Sequence, residues 1–117
     1  MLNHLDKITN SKTARLSSWD VSGRNGDAWS VPAGESRVLA DITGPGKITH
    51  LWMTQPNHYR ECLLKITWDN ASHPSVLVPL GDFFCLGHGI VNSFQSLLFT
   101  ASTGRISTNQ SVRWMGA

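Results

Sequence analysis

The chain has little of several things, and each shortage excludes something. It holds two cysteines, Cys62 and Cys85, without the C-x-x-C spacing of a redox or zinc site, so both read as buried free thiols. Charged residues make up 15% of the chain and the net charge is +2, with no Lys/Arg cluster. That charge is too mild and too scattered for a nucleic-acid partner. The longest apolar runs, such as Ser96-Leu97-Leu98-Phe99, fall far short of the roughly 20 residues of a membrane helix. No membrane partner is expected. Residues 1–16 contain no apolar signal-like core, which makes the cytoplasm the expected location. Helical periodicity is almost missing too. What remains is a 117-residue chain, 40% hydrophobic, which reads as globular and as one domain over residues 1–117.

Taken in order, Leu2, Leu5 and Ile8 recur at spacing of three and predict a short N-terminal helix within an arm over residues 1–16. Residues 17–29 are Ser, Asp, Gly and Asn-rich loop chemistry bracketed by Trp19 and Trp29. From residue 36 the period is two. Val38, Ala40 and Ile42 share one face of a predicted strand, and a longer strand is expected over 47–54. Leu64, Ile66 and Trp68 predict an inward face for a strand over 63–68, and residues 75–78 another. Residues 92–101 are β-prone, 102–111 are polar enough to predict a loop, and Val112 to Met115 begin one more strand. The fold class is therefore all-β: an antiparallel β-sandwich of jelly-roll type over residues 17–117, incomplete at five or six strands. A sandwich short of strands leaves ladder edges and an apolar face open to other chains. The chain is thus expected either to assemble with copies of itself or to be the front part of a longer protein.

One stretch organises the rest. Pro79-Leu80-Gly81-Asp82-Phe83-Phe84-Cys85-Leu86-Gly87-His88-Gly89 breaks the preceding strand with three glycines, which permit positive φ and close backbone approach. Asp82 and His88 lie between them over two aromatics. The plainer reading is a tight bend with Phe83 and Phe84 buried and Asp82 capping backbone amides.

Three stretches in order, residues 18–27 (Ser-Trp-Asp-Val-Ser-Gly-Arg-Asn-Gly-Asp), 39–52 (Leu-Ala-Asp-Ile-Thr-Gly-Pro-Gly-Lys-Ile-Thr-His-Leu-Trp) and 78–89, resemble the N-terminal part of glycoside hydrolase family 172, first catalogued as domain of unknown function 2961. The resemblance implies a jelly roll in trimers or larger rings. It also implies action on fructofuranosides or arabinofuranosides by a retaining mechanism with two glutamates. Retention needs two carboxyl groups about 5–5.5 Å apart, one ionised and one protonated. The chain has two glutamates, Glu35 in a turn and Glu61 at a strand start, and neither inherits the role. The family's pair comes after the glycine-rich loop, so the chain is expected to be inactive alone. It departs from the family pattern at Cys85, where glycine is expected, and at Ser22 and Arg24, where Thr and Gly are usual. These departures bear on pocket shape and leave the fold intact.

Sugar pockets combine an aromatic platform with groups that hydrogen-bond hydroxyls. Trp19, Asp20, Asn25 and Asp27 on one loop, with Asp82 and His88 on another, have that composition and are the candidate substrate-binding residues. The plainer alternative is that Asp20 and Asp27 stabilise turns and Trp19 belongs to a core. No catalytic residue, metal site or cofactor is assigned: His50, His58, Asp82 and His88 suit a metal by residue type but not by spacing. Two function classes stay open: a segment of a furanoside-acting enzyme, and a non-catalytic protein whose jelly-roll-like units assemble into rings, tubes or shells. A carbohydrate-binding module without chemistry is a third. The expected partners are copies of the chain, as a trimer or higher assembly, and a furanose-containing carbohydrate.

Overall fold

A computed structural model describes residues 6–106 and 109–116, of which 103–106 and 109–116 are described by backbone alone. The chain falls into two compact units, Met1–Pro45 and Gly46–Ala117.

In Met1–Pro45 the described residues form turns and loops, with no helix and no strand. The helix expected near the N-terminus is absent from residues 6–16, and residues 1–5 lie outside the described residues. A stripe of three apolar residues is too narrow to hold a helix this short, since isolated helices below about 12 residues are marginal in water. The strand expected over 36–42 is also not formed. Its period-two pattern is real, but a strand exists only where a neighbour accepts its ladder, and no described residue pairs with it. Val38 is accordingly 76% exposed. Arg37 instead places its guanidinium 4.2 Å from the centre of the Trp29 ring, a cation–π contact.

Gly46–Ala117 carries the strands, and all of its described pairings are antiparallel. The elements are β1 (Leu51–Gln55), β2 (Leu63–Ile66), β3 (Val76–Pro79), a one-turn helix α1 (Leu80–Phe83), a 3-10 turn (Gly87–Gly89), β4 (Phe94–Gln95), β5 (Phe99–Ile106) and β6 (Asn109–Gly116). They make a four-stranded sheet in the order β1-β6-β5-β4 and a two-stranded sheet of β2 and β3. The all-β class stands, with six strands among the described residues. The strand expected over 47–54 begins only at Leu51, where β6 supplies a partner running from Gly116 opposite Leu51 to Val112 opposite Gln55. Residues 102–106 and 109–111 are a correction: where a loop is expected they belong to β5 and β6, which pair from Phe99–Gly116 down to Ile106–Asn109, and 107–108 lie outside the described residues. Their Ser, Thr, Gly and Asn content hid them, because backbone ladder bonds need no apolar alternation.

The core is small and sits where α1 meets both sheets. Leu64, Leu80, Phe84, Leu86 and Ala101 are buried, and Phe84 is fully so. In β2 the alternation reads as expected: Leu64 is buried and Ile66 half-buried, while Leu63 and Lys65 are exposed. Trp68 falls beyond the strand end and is exposed rather than inward. Phe83, Phe84 and Phe99 meet edge-to-face, with ring centres 5.2 to 6.2 Å apart. This trio ties α1 to β5 with the geometry aromatic quadrupoles prefer. Among the described residues, no helix is long and apolar enough to cross a membrane.

Candidate functional site

The loop from Ser18 to Asp27 is built around one carboxylate. Asp20 Oδ1 accepts from the Ser22 amide at 2.8 Å and the Ser22 hydroxyl at 2.6 Å, and Oδ2 accepts from the Gly26 amide at 3.0 Å. The Asp20 carbonyl accepts from Gly23 N–H at 3.0 Å, closing a turn in which Gly23 and Asn25 have φ of 72° and 66°. Asp27 Oδ1 accepts from Asp20 N–H at 2.8 Å, and the Ser18 hydroxyl donates to the Asp27 carbonyl. An added Cβ at Gly26 would stand 3.1 Å from Asp20 Oδ2, so any other residue there would press on the carboxylate. The Ser22 hydroxyl, then the amides of Gly26, Ser22 and Arg24, hold the Asp20 carboxyl below its ordinary value, outweighing a small opposing effect of burial. Asp20 and Asp27 therefore knit the loop, as the turn-stabilising reading expects. Trp19 is 63% exposed and belongs to no core of its unit. It stands as an open aromatic face, and Asn25 of the same loop is exposed too.

The second loop is set by how α1 begins and ends. Its first amides are satisfied by the chain before β2: Leu80 N–H donates to the Cys62 carbonyl at 2.8 Å and Gly81 N–H to the Tyr59 carbonyl at 2.9 Å. Gly81 is buried, and a Cβ on it would lie 3.0 Å from Tyr59 Cβ. The helix ends in a Schellman pattern: Leu86 N–H donates to the Gly81 carbonyl at 2.9 Å and Cys85 N–H to the Asp82 carbonyl at 3.0 Å. The pivot of that pattern is Cys85 at φ 66°. Cys85 is exposed rather than buried as expected, because the left-handed pivot stands on the outside of the turn. Cys62 is half-buried.

Asp82 does not cap backbone amides. Its Oδ2 lies 3.4 Å from Arg60 Nη2, and its Oδ1 is buried without a hydrogen-bond partner among the described residues. His88 is exposed at the centre of the 3-10 turn, with φ 63°. Arg60 is the contact that sequence reasoning missed; 22 positions separate it from Asp82, and only the clamp of α1 onto residues 59–62 brings them together. Burial pushes the Tyr59 phenol above its ordinary value, and its hydroxyl donates to the Pro56 carbonyl at 2.9 Å. Clefts open among the described residues of this unit. One of about 510 Å³ runs over Ile66, Trp68, Phe83 and Phe99 with Lys47 and His50 among its lining. Another, about 320 Å³, is lined by Cys85, Leu86, Gly87, Ile90, Asn92 and Phe94. Neither includes Asp82 or His88. Among the described residues no three His, Cys, Asp or Glu side chains gather as metal ligands would. His58 faces Glu61 at 3.8 Å instead.

The model of the GH172 domain-like family matches residues 24–109, well over half of the chain. The chain belongs to this family. The match spans the glycine-rich loop and β5, and GH172 membership makes the chain a relative of glycoside hydrolases. Among curated proteins, none matches the chain. Glu35 and Glu61, the chain's two glutamates, have separate surroundings: Glu35 N–H closes a turn on the Pro32 carbonyl at 3.1 Å, and Glu61 is the His58 partner.

Proposed function

We propose that this chain carries furanoside-recognition loops of a GH172-type, jelly-roll glycoside hydrolase, acting on fructofuranose or arabinofuranose units, and that it performs no hydrolysis alone. The observation carrying this reading is the family match over residues 24–109. Its two loops supply sugar-binding groups: Trp19 as a stacking face with Asp20, Asn25 and Asp27, and Asp82 with His88. In the first loop Asp20 and Asp27 shape the turn, so Trp19 and Asn25 are the groups free to meet a ligand. In the second, Asp82 accepts and His88 donates or accepts according to its tautomer. A retaining reaction needs two carboxyl groups about 5–5.5 Å apart. Glu35 lies in the first unit, and Glu61 lies in the second, 3.8 Å from His58. The test uses the purified chain with p-nitrophenyl arabinofuranoside and methyl fructofuranoside. The reading expects binding without release of nitrophenol or methanol. Hydrolysis that disappears on Glu35→Gln or Glu61→Gln overturns it.

A second reading, assembly of copies into a trimer or larger ring, is favoured by the sheet edges. β1 and β4 close the four-stranded sheet at each side with one face of their ladders unpaired among the described residues. Light scattering should then give a mass above one chain. A mass that stays monomeric over a hundredfold range of concentration argues against it.

A further inference from the structure

The clamp between α1 and the turn before β2 does more than close a helix. Arg60 lies between the two acceptor residues, Tyr59 and Cys62, so the clamp holds it against α1 with its guanidinium 3.4 Å from Asp82 Oδ2. Its stem runs beside the following loop: a Cβ added at Gly89 would sit 3.8 Å from Arg60 Cγ. Asp82, Arg60 and the turn bearing His88 thus converge within one unit.

The Asp82 carboxylate has no helix-capping task that would explain it. Asp82 is the third residue of α1, a position from which an acidic side chain commonly reaches back to the amide of the N-cap residue. Here the N-cap residue is Pro79, which has no N–H. Oδ1 is buried among the described residues, so Oδ2 is the oxygen within reach of a ligand. Its ion pair with a half-exposed arginine adds little to stability, so stability alone does not explain the pairing. The Arg60 side chain is 48% exposed and that of Asp82 25%, and the pair sets Oδ2 beside the N–H donors of the Arg60 fork.

We infer that Arg60 is a further ligand-binding residue of this loop, holding Asp82 in place and donating to one hydroxyl of a vicinal diol while Asp82 accepts from the next. A neutral polyol suits the pair, because each sugar hydroxyl both donates and accepts. A free anion would meet the Asp82 charge. The inference rests on the furanoside reading of the Asp82–His88 loop.

The test titrates the full chain with methyl arabinofuranoside and methyl fructofuranoside by calorimetry, alongside Arg60→Lys and Arg60→Ala. Deoxy analogues lacking the C2 or C3 hydroxyl complete the set. Arg60→Lys keeps the charge and the stem against Gly89 but loses the planar fork. Both variants should weaken binding at least tenfold. One deoxy analogue should bind native chain and Arg60→Ala equally, a pattern that a merely structural arginine would not produce. Arg60→Lys keeps the test valid should Arg60→Ala fail to fold. Native-like affinity in Arg60→Lys, or an equal loss for every analogue, overturns the role of Arg60 alone. No binding of either furanoside by the native chain overturns the loop's furanoside reading and the arginine's role with it.

Discussion

Replacing Cys85 with glycine should make the protein more stable. Cys85 is the pivot of the Schellman pattern that ends α1, and its φ of 66° lies in the left-handed region. A residue with a Cβ is strained there by about 1–2 kcal/mol. Glycine escapes that strain but makes the unfolded chain looser, which costs about 0.4–1 kcal/mol. The thiol is exposed, so its removal forfeits little packing. The difference is a net gain of about 1 kcal/mol, or a rise of about 4 °C in the unfolding midpoint for a chain of this size. Tryptophan fluorescence in a thermal or urea melt under reducing conditions reads it. Cys85→Ala is the control, since it removes the thiol but keeps the Cβ, and it should leave the midpoint nearly unchanged. If Cys85→Ala stabilises as much as Cys85→Gly, the gain comes from losing sulfur and the backbone argument fails. If neither stabilises, the pivot is not strained.

Three further outcomes follow from the same geometry. Gly81→Ala should destabilise by about 1–3 kcal/mol in a urea titration, because its Cβ would press on Tyr59 Cβ at 3.0 Å and on the Tyr59 carbonyl at 3.1 Å. Phe84→Ala removes the fully buried member of the core and of the aromatic trio, and should cost about 3–5 kcal/mol, enough to leave a marginal domain largely unfolded at 37 °C in circular dichroism. Asp20 should give the 18–27 loop an acid-side pH dependence. Its folded carboxyl is held below the ordinary value of 3.8, so the unfolded loop binds the proton first. The loop's stabilisation is then complete above pH 3.8 and is lost as pH falls through the depressed folded value. Amide resonances of Ser22 and Gly26 should hold steady down to that window and move below it, and Asp20→Asn should abolish the transition.

The parts of this fold written in local pattern were legible in the residues. β2 shows because Leu64 and Ile66 alternate with Lys65, and the end of β3 shows because the glycine-rich stretch begins directly after Pro79. The glycine that the family resemblance implies at position 85 accords with the φ of 66° there, a conformation that glycine adopts freely. What escaped depended on distant partners. Residues 36–42 have a strand's alternation but no neighbour to pair with among the described residues. β5 and β6 have little alternation but pair along their whole described length, with Phe99 opposite Gly116. Arg60 gives no sign of its position beside Asp82, because that contact depends on where the Tyr59 and Cys62 carbonyls receive α1. The loop around Asp20 was half legible: its residue types announced hydrogen bonding, while the choice between gripping backbone and gripping a ligand needed the distances.

The most direct test of the carbohydrate reading is a titration of the isotope-labelled chain with methyl arabinofuranoside or methyl fructofuranoside, followed by amide and indole resonances. The account predicts saturable shifts at the Trp19 indole, Asn25 and residues 82–89, with the sugar recovered intact. Shifts confined to the apolar cleft over Trp68 and Phe99, or no saturable shift with either sugar, would contradict it.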